Sequence, residues 1–199
     1  MHQFANKVVV GLTGGIASGK SETLRIFQEL EWEVISTDQI AADHLSNNQE
    51  VMDQVAFRWG SEMIFSRGSV DKKKIAEIIF NNPTERIWLE GLLHPLVRNS
   101  WVQFIEHSNA LNFVVELPLL FEKNLTSYFS KTICLLIPMH LQVSRMRNRG
   151  YSLTEAHARI DSQMPASEKL ALANHIFLGS GSIFFLRSQV KEFIDNFLK

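Results

Sequence analysis

Two rhythms of apolar and polar residues alternate along the chain. Short runs rich in apolar and β-branched residues recur at 8–13, 33–36, 112–117, 132–137 and 175–177. Between them lie longer stretches with apolar side chains every three or four positions. The short runs predict strands and the longer stretches predict helices. Strands alternating with helices predict an α/β protein, a parallel sheet covered by helices. Residues 22–30 place Leu24, Phe27 and Leu30 near one helical face. Residues 183–198 place Leu186, Val190, Phe193, Ile194 and Phe197 at helical spacing, a stripe that reads as core.

The long interval between the second and third strands shows no clear strand and several helix signals. Asn82-Pro83-Thr84-Glu85 puts a capping residue, a first-turn proline and a returning glutamate in the order that opens a helix. Pro95 reads as the start of a further helix, with Val97, Trp101, Phe104 and Ile105 on one side. The expected organisation is one unit: a nucleotide-binding core from 1–37 and 112–199, a helical substrate-binding insertion over 38–111, and a lid over 145–165. Such an insertion leaves the sheet at its carboxyl edge, where α/β proteins bind ligands.

Composition narrows the picture. In 199 residues a 45% hydrophobic fraction supports a real core, and a net charge of -1 gives no sign of nucleic acid as a partner. No apolar stretch is long enough to span a bilayer. The first residues show no secretory pattern. Cys134, the lone cysteine, lies inside the strand-like run at 132–137 and reads as a buried apolar side chain. A cytoplasmic protein is the expectation.

The chemistry concentrates in Gly14-Gly15-Ile16-Ala17-Ser18-Gly19-Lys20-Ser21, a complete G-x-x-x-x-G-K-S loop between a predicted strand and a predicted helix. Glycines let the backbone turn several N–H groups toward one anion, and the new helix adds unpaired donors and a partial positive charge. Lys20 is placed to reach the β- and γ-phosphates of ATP, and the Ser21 hydroxyl to hold Mg²⁺. Asp38 directly follows the second strand; it suits a base for an acceptor hydroxyl, a Mg²⁺ ligand or a helix cap. Glu116 ends the third strand, as either a carboxylate assisting Mg²⁺ or an ordinary strand-end residue. Arg145, Arg147 and Arg149 close one helix. The capping box Ser152-Leu153-Thr154-Glu155 opens another that contains Arg159. This basic hairpin reads as a mobile lid or as a solvated face. Lys72-Lys73-Lys74 reads as solvated, with one member able to meet an anion. His94 fits a substrate contact or a helix boundary.

These segments together resemble the dephospho-coenzyme A kinase family. The resemblance runs through 11–21, through Val34-Ile35-Ser36-Thr37-Asp38, through Leu89-Glu90-Gly91-Leu92-Leu93-His94-Pro95 and through Glu116-Leu117-Pro118-Leu119-Leu120-Phe121-Glu122. It continues through Gln142, Arg145, Arg149, Arg159, Ile160 and Gln163. It implies a three-layer phosphate-loop fold with a five-stranded parallel sheet, a helical substrate insertion and a lid. It also implies ATP-dependent phosphorylation of the ribose 3′-hydroxyl of dephospho-coenzyme A. Lys20, Asp38 and Arg145 would then be catalytic. Lys72, His94, Arg98, Pro118, Leu119, Arg149 and Arg159 would serve substrate or lid. Ala17 stands where the family has glycine, Ser36 and Asn174 where it has aspartate, Glu22 where it has threonine, Lys72 where it often has arginine and Gly179 where it has asparagine.

Other readings share the loop: a kinase for a nucleoside monophosphate or another small acceptor, a nucleotide switch, or a degenerate nucleotide binder. No Asn-Lys-x-Asp guanine signature occurs, which argues against a GTPase. ATP and dephospho-coenzyme A are the expected partners, with Mg²⁺ and with neither nucleic acid nor membrane.

Overall fold

The computed structural model describes residues 4, 6–66 and 69–197, with the backbone alone at 63–66 and 69. In chain order the elements are β1 (Val8–Gly14), α1 (Lys20–Glu29), β2 (Glu33–Ser36), α2 (Thr37–Asn47), α3 (Gln49–Trp59), α4 (Ser61–Ile64), β3 (Phe65–Ser66), β4 (Ser69–Val70) and α5 (Lys72–Asn81). There follow α6 (Pro83–His107), β5 (Asn112–Glu116), a 3-10 turn at Thr126–Tyr128, β6 (Lys131–Leu136), α7 (Met139–Asn148), α8 (Leu153–Asp161), α9 (Ala166–Leu172), β7 (His175–Leu178) and α10 (Ile183–Phe197). The chain divides into two compact units, Met1–Ser36 with Asn109–Lys199, and Thr37–Ser108. The expected end of the last helix at Leu198 lies outside the described residues.

The first unit is built on a five-stranded parallel sheet in the order β2-β5-β1-β6-β7. All five predicted strands are present in it. The central position of β1 follows from its composition. Beyond Val8 every residue of the strand is buried, and both backbone edges are paired, with Val10 opposite Val114 on one side and Lys131 on the other. A strand covered on both faces reads as a continuous apolar run, as Val8-Val9-Val10-Gly11-Leu12 does. Helices α1 and α10 pack on each other. Their stripes join Val10, Leu12, Ile26, Phe27, Trp32, Ile133, Phe177, Leu186, Val190 and Phe193 in one core. Phe27 is its aromatic hub, with ring centroids 5.4 Å from Trp32 and 6.2 Å from Phe193. Gly11 is glycine for lack of room: a Cβ there would lie 2.6 Å from Leu120 Cδ1.

The second unit is mainly helical, with a core of Val51, Val55, Val70, Ile75, Leu89 and Leu93. Its longest helix corrects one expectation. Pro95 does not open a helix but lies inside the 25-residue α6. The buried stripe Leu89, Leu93, Val97, Trp101 and Ile105 runs straight through it. Proline inside a helix costs about 3 kcal/mol, partly by leaving the carbonyl four residues earlier without its donor. Here that carbonyl belongs to exposed Gly91 and can meet water, while apolar burial on both sides holds the helix together. Phe104 falls off the stripe and is half exposed. Asn82 caps α6 as expected, its Oδ1 accepting from the Thr84 and Glu85 N–H groups. Glu85 does not return to the cap. Its carboxylate accepts from Arg58 at 2.6 and 2.9 Å and from Trp59 Nε1 at 2.7 Å. The Arg58 hydrogen bond first, then that of Trp59, hold the Glu85 carboxyl below its ordinary pKa. The two-residue hairpin strands β3 and β4 are the second departure from the sequence reading, which placed no strand in this interval.

Cys134 is 2% exposed in the middle of β6. Burial pushes its thiol from an ordinary 9.0 up to about 11, against the opposing pull of the Lys169 and Lys20 charges. The thiolate is the reactive form. The folded protein should therefore react with iodoacetamide at pH 8 at least ~100-fold more slowly than the same chain in urea, the ratio that the pKa difference alone sets. The raised pKa also means that the thiol's contribution to stability holds below pH 9 and declines as pH climbs toward 11. Comparable alkylation rates in the two states would show that Cys134 is not enclosed.

Candidate active site

The loop after β1 leaves the centre of the sheet at its carboxyl edge. Its turns need backbone geometry that L-residues resist: φ is +146° at Gly14, +58° at Ala17 and +106° at Gly19. Gly14 and Gly19 adopt these values without steric penalty. Ala17 does so at a cost of roughly 1–2 kcal/mol. Its methyl is buried with Met146 and Ala156, against Ile16, Val143, Tyr151 and Ile160, and that burial offsets part of the cost. Gly19 leads into α1, whose first residue is Lys20. Lys20 Nζ arches back over the loop and donates to Gly14 O and Gly15 O, each at 3.1 Å. The Ser18 hydroxyl is buried within the loop and has no hydrogen-bond partner among the described residues. An ammonium folded over the loop, an unused buried hydroxyl and a helix N-terminus together make a donor set suited to a phosphate chain. Ser21 follows on the exposed side of the first turn.

At the same sheet edge Ser36 and Glu116 end β2 and β5 in register, and Glu116 is opposite Leu12 of β1. Ser36 Oγ donates to Glu116 Oε2 at 3.0 Å, and Glu116 is 5% exposed. The Ser36 hydroxyl therefore supports its neighbouring carboxylate, where an aspartate at 36 would repel it. Hydroxyl and carboxylate oxygens are the ligand type that Mg²⁺ takes. No cluster of three or more His, Cys, Asp or Glu side chains able to hold a metal occurs among the described residues. A Mg²⁺ here would draw most of its ligands from phosphate and water, its usual habit. Asp38 follows two residues after Ser36, exposed in the first turn of α2. Because α2 begins at Thr37, Asp38 stands inside the helix and not at its cap.

The basic hairpin is helical as expected, and Ser152 and Glu155 form the reciprocal capping box. Its arginines divide by environment. Arg145 is half-buried, with Nη1 donating to Ala17 O at 3.0 Å and Nη2 to Gly179 O at 2.8 Å, so it ties the loop to the segment after β7. Arg147 and Arg149 are exposed, and the Arg159 guanidinium lies over the Tyr151 ring at 4.7 Å. Gly179 has no space for a side chain, since a Cβ would fall 2.2 Å from Ser18 O. Asn174 sits at the opposite edge of the sheet, before β7. There its Oδ1 accepts from Thr132 N while its own N–H donates to Thr132 Oγ1. It thus has a structural task, joining the starts of β6 and β7.

Two residues to which sequence reasoning gave no role anchor the loop after β5. Lys169 of α9 is 1% exposed; its Nζ is 2.8 Å from Glu122 Oε1 and 2.8 Å from Pro118 O. Pro118 O also accepts from Thr13 Oγ1 at 3.4 Å, and Glu122 Oε1 accepts from Met164 N at 3.2 Å. The carbonyl of Pro118 is thus committed to holding the loop, and Leu119 beside it is half-buried. The burial of Lys169 depends on partners about fifty residues away, which a single sequence does not display. In the second unit, exposed Lys72 opens α5, while half-buried His94 and exposed Arg98 lie one turn apart on α6.

Comparisons with known proteins match nearly the whole chain. The dephospho-CoA kinase family profile matches residues 8–184. A dephospho-CoA kinase of Legionella pneumophila (strain Paris) is 32% identical over 191 residues, covering 96% of this chain and 95% of its own. The solved structure of dephospho-CoA kinase from Campylobacter jejuni superposes with a TM-score of 0.67 at 30% identity, covering 95% of this chain and 96% of that one. Shikimate kinase from Bacteroides thetaiotaomicron, at 17% identity and a TM-score of 0.54 over 96% of this chain and 99% of its own, shares the fold. With the phosphate loop, the sheet order and the later segments all in place, the chain belongs to the dephospho-CoA kinase family.

Proposed function

We propose that this chain transfers the γ-phosphate of ATP to the ribose 3′-hydroxyl of dephospho-coenzyme A, giving coenzyme A and ADP. The observation that carries the reading is the loop at 14–21, with Lys20 folded over Gly14 and Gly15 and an unused hydroxyl at Ser18. The loop amides and Lys20 bind the phosphate chain of ATP and stabilise the charge that gathers on the γ-phosphate oxygens during transfer. Asp38 accepts the proton of the acceptor hydroxyl. That oxygen forms a bond to the γ-phosphorus as the bond from phosphorus to the β,γ-bridging oxygen breaks, and ADP leaves. Ser21 would hold Mg²⁺, with Glu116 as a further ligand and Asp38 one only if it is not the base; the ion would supply charge neutralisation on the phosphates when bound. Arg145 fixes the loop and brings a cation beside it, and Arg149 and Arg159 extend that charge along the hairpin.

The helical unit, Thr37–Ser108, takes the acceptor. Lys72, His94 and Arg98 supply its polar contacts, and Pro118 and Leu119 shape the loop after β5. Among the described residues no helix is long and apolar enough to cross a membrane. We place the activity in the cytoplasm.

The test is an ADP-release assay with a panel of acceptors and an acceptor-free control. Release that depends on dephospho-coenzyme A supports the reading. Dependence on a nucleoside monophosphate, or release without acceptor, contradicts it. Lys20→Ala should fold normally by circular dichroism and lower kcat/KM by at least ~100-fold, the scale for removing one transition-state donor; unchanged turnover in the folded variant would remove Lys20 from the mechanism. Asp38→Asn should lower kcat by roughly 10²–10⁴-fold, the range for losing a positioned base, and leave nucleotide affinity within about threefold. Weakened ATP binding with normal turnover at saturation would instead make Asp38 a binding residue.

A further inference from the structure

The outward-facing groups of the phosphate loop are held by side chains from the helical hairpin. Ile16 N–H donates to Gln163 Oε1 at 3.1 Å, and Ile16 O accepts from Gln142 Nε2 at 3.1 Å. The next carbonyl, Ala17 O, accepts from Arg145. Three polar groups of two consecutive loop residues are thereby taken by α7 and by the residues just after α8. Gln142 is 7% exposed and lies so close that a Cβ on Gly15 would fall 2.3 Å from its Nε2. The apolar side of the same apex, buried Ala17 with partly buried Ile16, packs with Val143, Met146, Tyr151, Ala156 and Ile160. Within this set the side chains of Gln142 and Gln163 bond the loop backbone, and neither takes a part in the proposed transfer itself.

We propose that Gln142 and Gln163 are positioning residues for nucleotide binding, acting on the loop with opposite polarity. Gln163 must present an acceptor to Ile16 N–H, and Gln142 must present a donor to Ile16 O. Together they hold the Ile16 peptide groups so that Ala17 stays in its left-handed conformation and the loop keeps the shape that receives phosphates. This rests on the reading of residues 14–21 as the ATP cradle. It adds that the cradle is shaped from outside, and that the basic hairpin is docked on the loop through its base.

The opposite polarities make the claim testable by paired substitutions, read by calorimetric titration of ADP without acceptor and by kinetics at saturating ATP. Gln163→Leu should weaken ADP about tenfold, the scale for leaving one enclosed peptide group without a partner. It should change kcat at saturation by less than about threefold, because neither Lys20 nor the Asp38 base is altered and saturating ATP refills the loop. Gln163→Glu keeps an acceptor and should restore affinity to within about threefold of wild type. Gln142→Glu sets a carboxylate against a carbonyl and should bind ADP no better than Gln142→Leu. Should Gln163→Leu fail to fold, the Gln142 pair carries the same comparison from another helix. Lower melting temperature with unchanged ADP affinity would reduce the glutamines to plain stabilising contacts and overturn the proposal. So would a Gln163→Glu variant as weak as Gln163→Leu. Wild-type protein that binds ADP but makes no coenzyme A would contradict the proposed reaction alone, since the titration does not depend on the acceptor. Wild-type protein that binds no ADP would overturn both.

Discussion

The site depends on one backbone shape. To receive phosphates as proposed, residues 14–19 would have to turn tightly enough to direct amide groups at a single anion, and L-residues resist the torsion angles they adopt. Glycine at 14 and 19 removes the steric barrier, but Ala17 keeps it. The protein compensates from outside the loop, with apolar burial of the Ala17 methyl, a guanidinium on Ala17 O and two side-chain amides on Ile16. Lys20 closes the loop from within. A functional conformation that is unfavourable by itself is held by its surroundings, as strained functional backbone usually is.

The second constraint is the buried ion pair of Lys169 with Glu122. Removing one member of such a pair leaves an enclosed charge without its partner, a loss of about 3–5 kcal/mol, whereas an apolar replacement of both can be neutral. Its value here lies in geometry. Lys169 also holds Pro118 O, which accepts from Thr13 on the phosphate-loop strand, and Glu122 also accepts from Met164 beyond α8. The end of β1, the loop after β5 and the exit of the helical hairpin are therefore fixed to one another by polar contacts with defined directions. Apolar packing is less directional and would specify these positions less sharply.

The sequence reading recovered features with local signals. The five strands, the phosphate loop, the Ser152 capping box and the α10 stripe follow from spacing or motif within a few residues. It failed where a distant residue decides the outcome. Glu85 has the right position for a capping box, but Arg58 and Trp59 offer it stronger partners. Pro95 has the ordinary signature of a helix start, but the stripe from Leu89 to Ile105 continues through it. Two-residue strands such as β3 and β4 are too short to generate a periodic signal. At the candidate site, the fold-over of Lys20 onto Gly14 and Gly15 was legible because it belongs to a contiguous motif. Lys169 and the polarity of Gln142 and Gln163 were not, because each depends on a partner far away in the chain. Asn174 and Gly179 stood out as departures from the family pattern, and only their surroundings separate a structural residue at the far sheet edge from a glycine pressed against Ser18 O.

The central claim is a phosphoryl transfer to one defined oxygen. Phosphorus NMR of the product formed from ATP and dephospho-coenzyme A tests it most directly. The account predicts one new phosphomonoester resonance on the ribose 3′-oxygen, growing in step with ADP. A product phosphorylated elsewhere, or inorganic phosphate growing with ADP while dephospho-coenzyme A is unchanged, would contradict it.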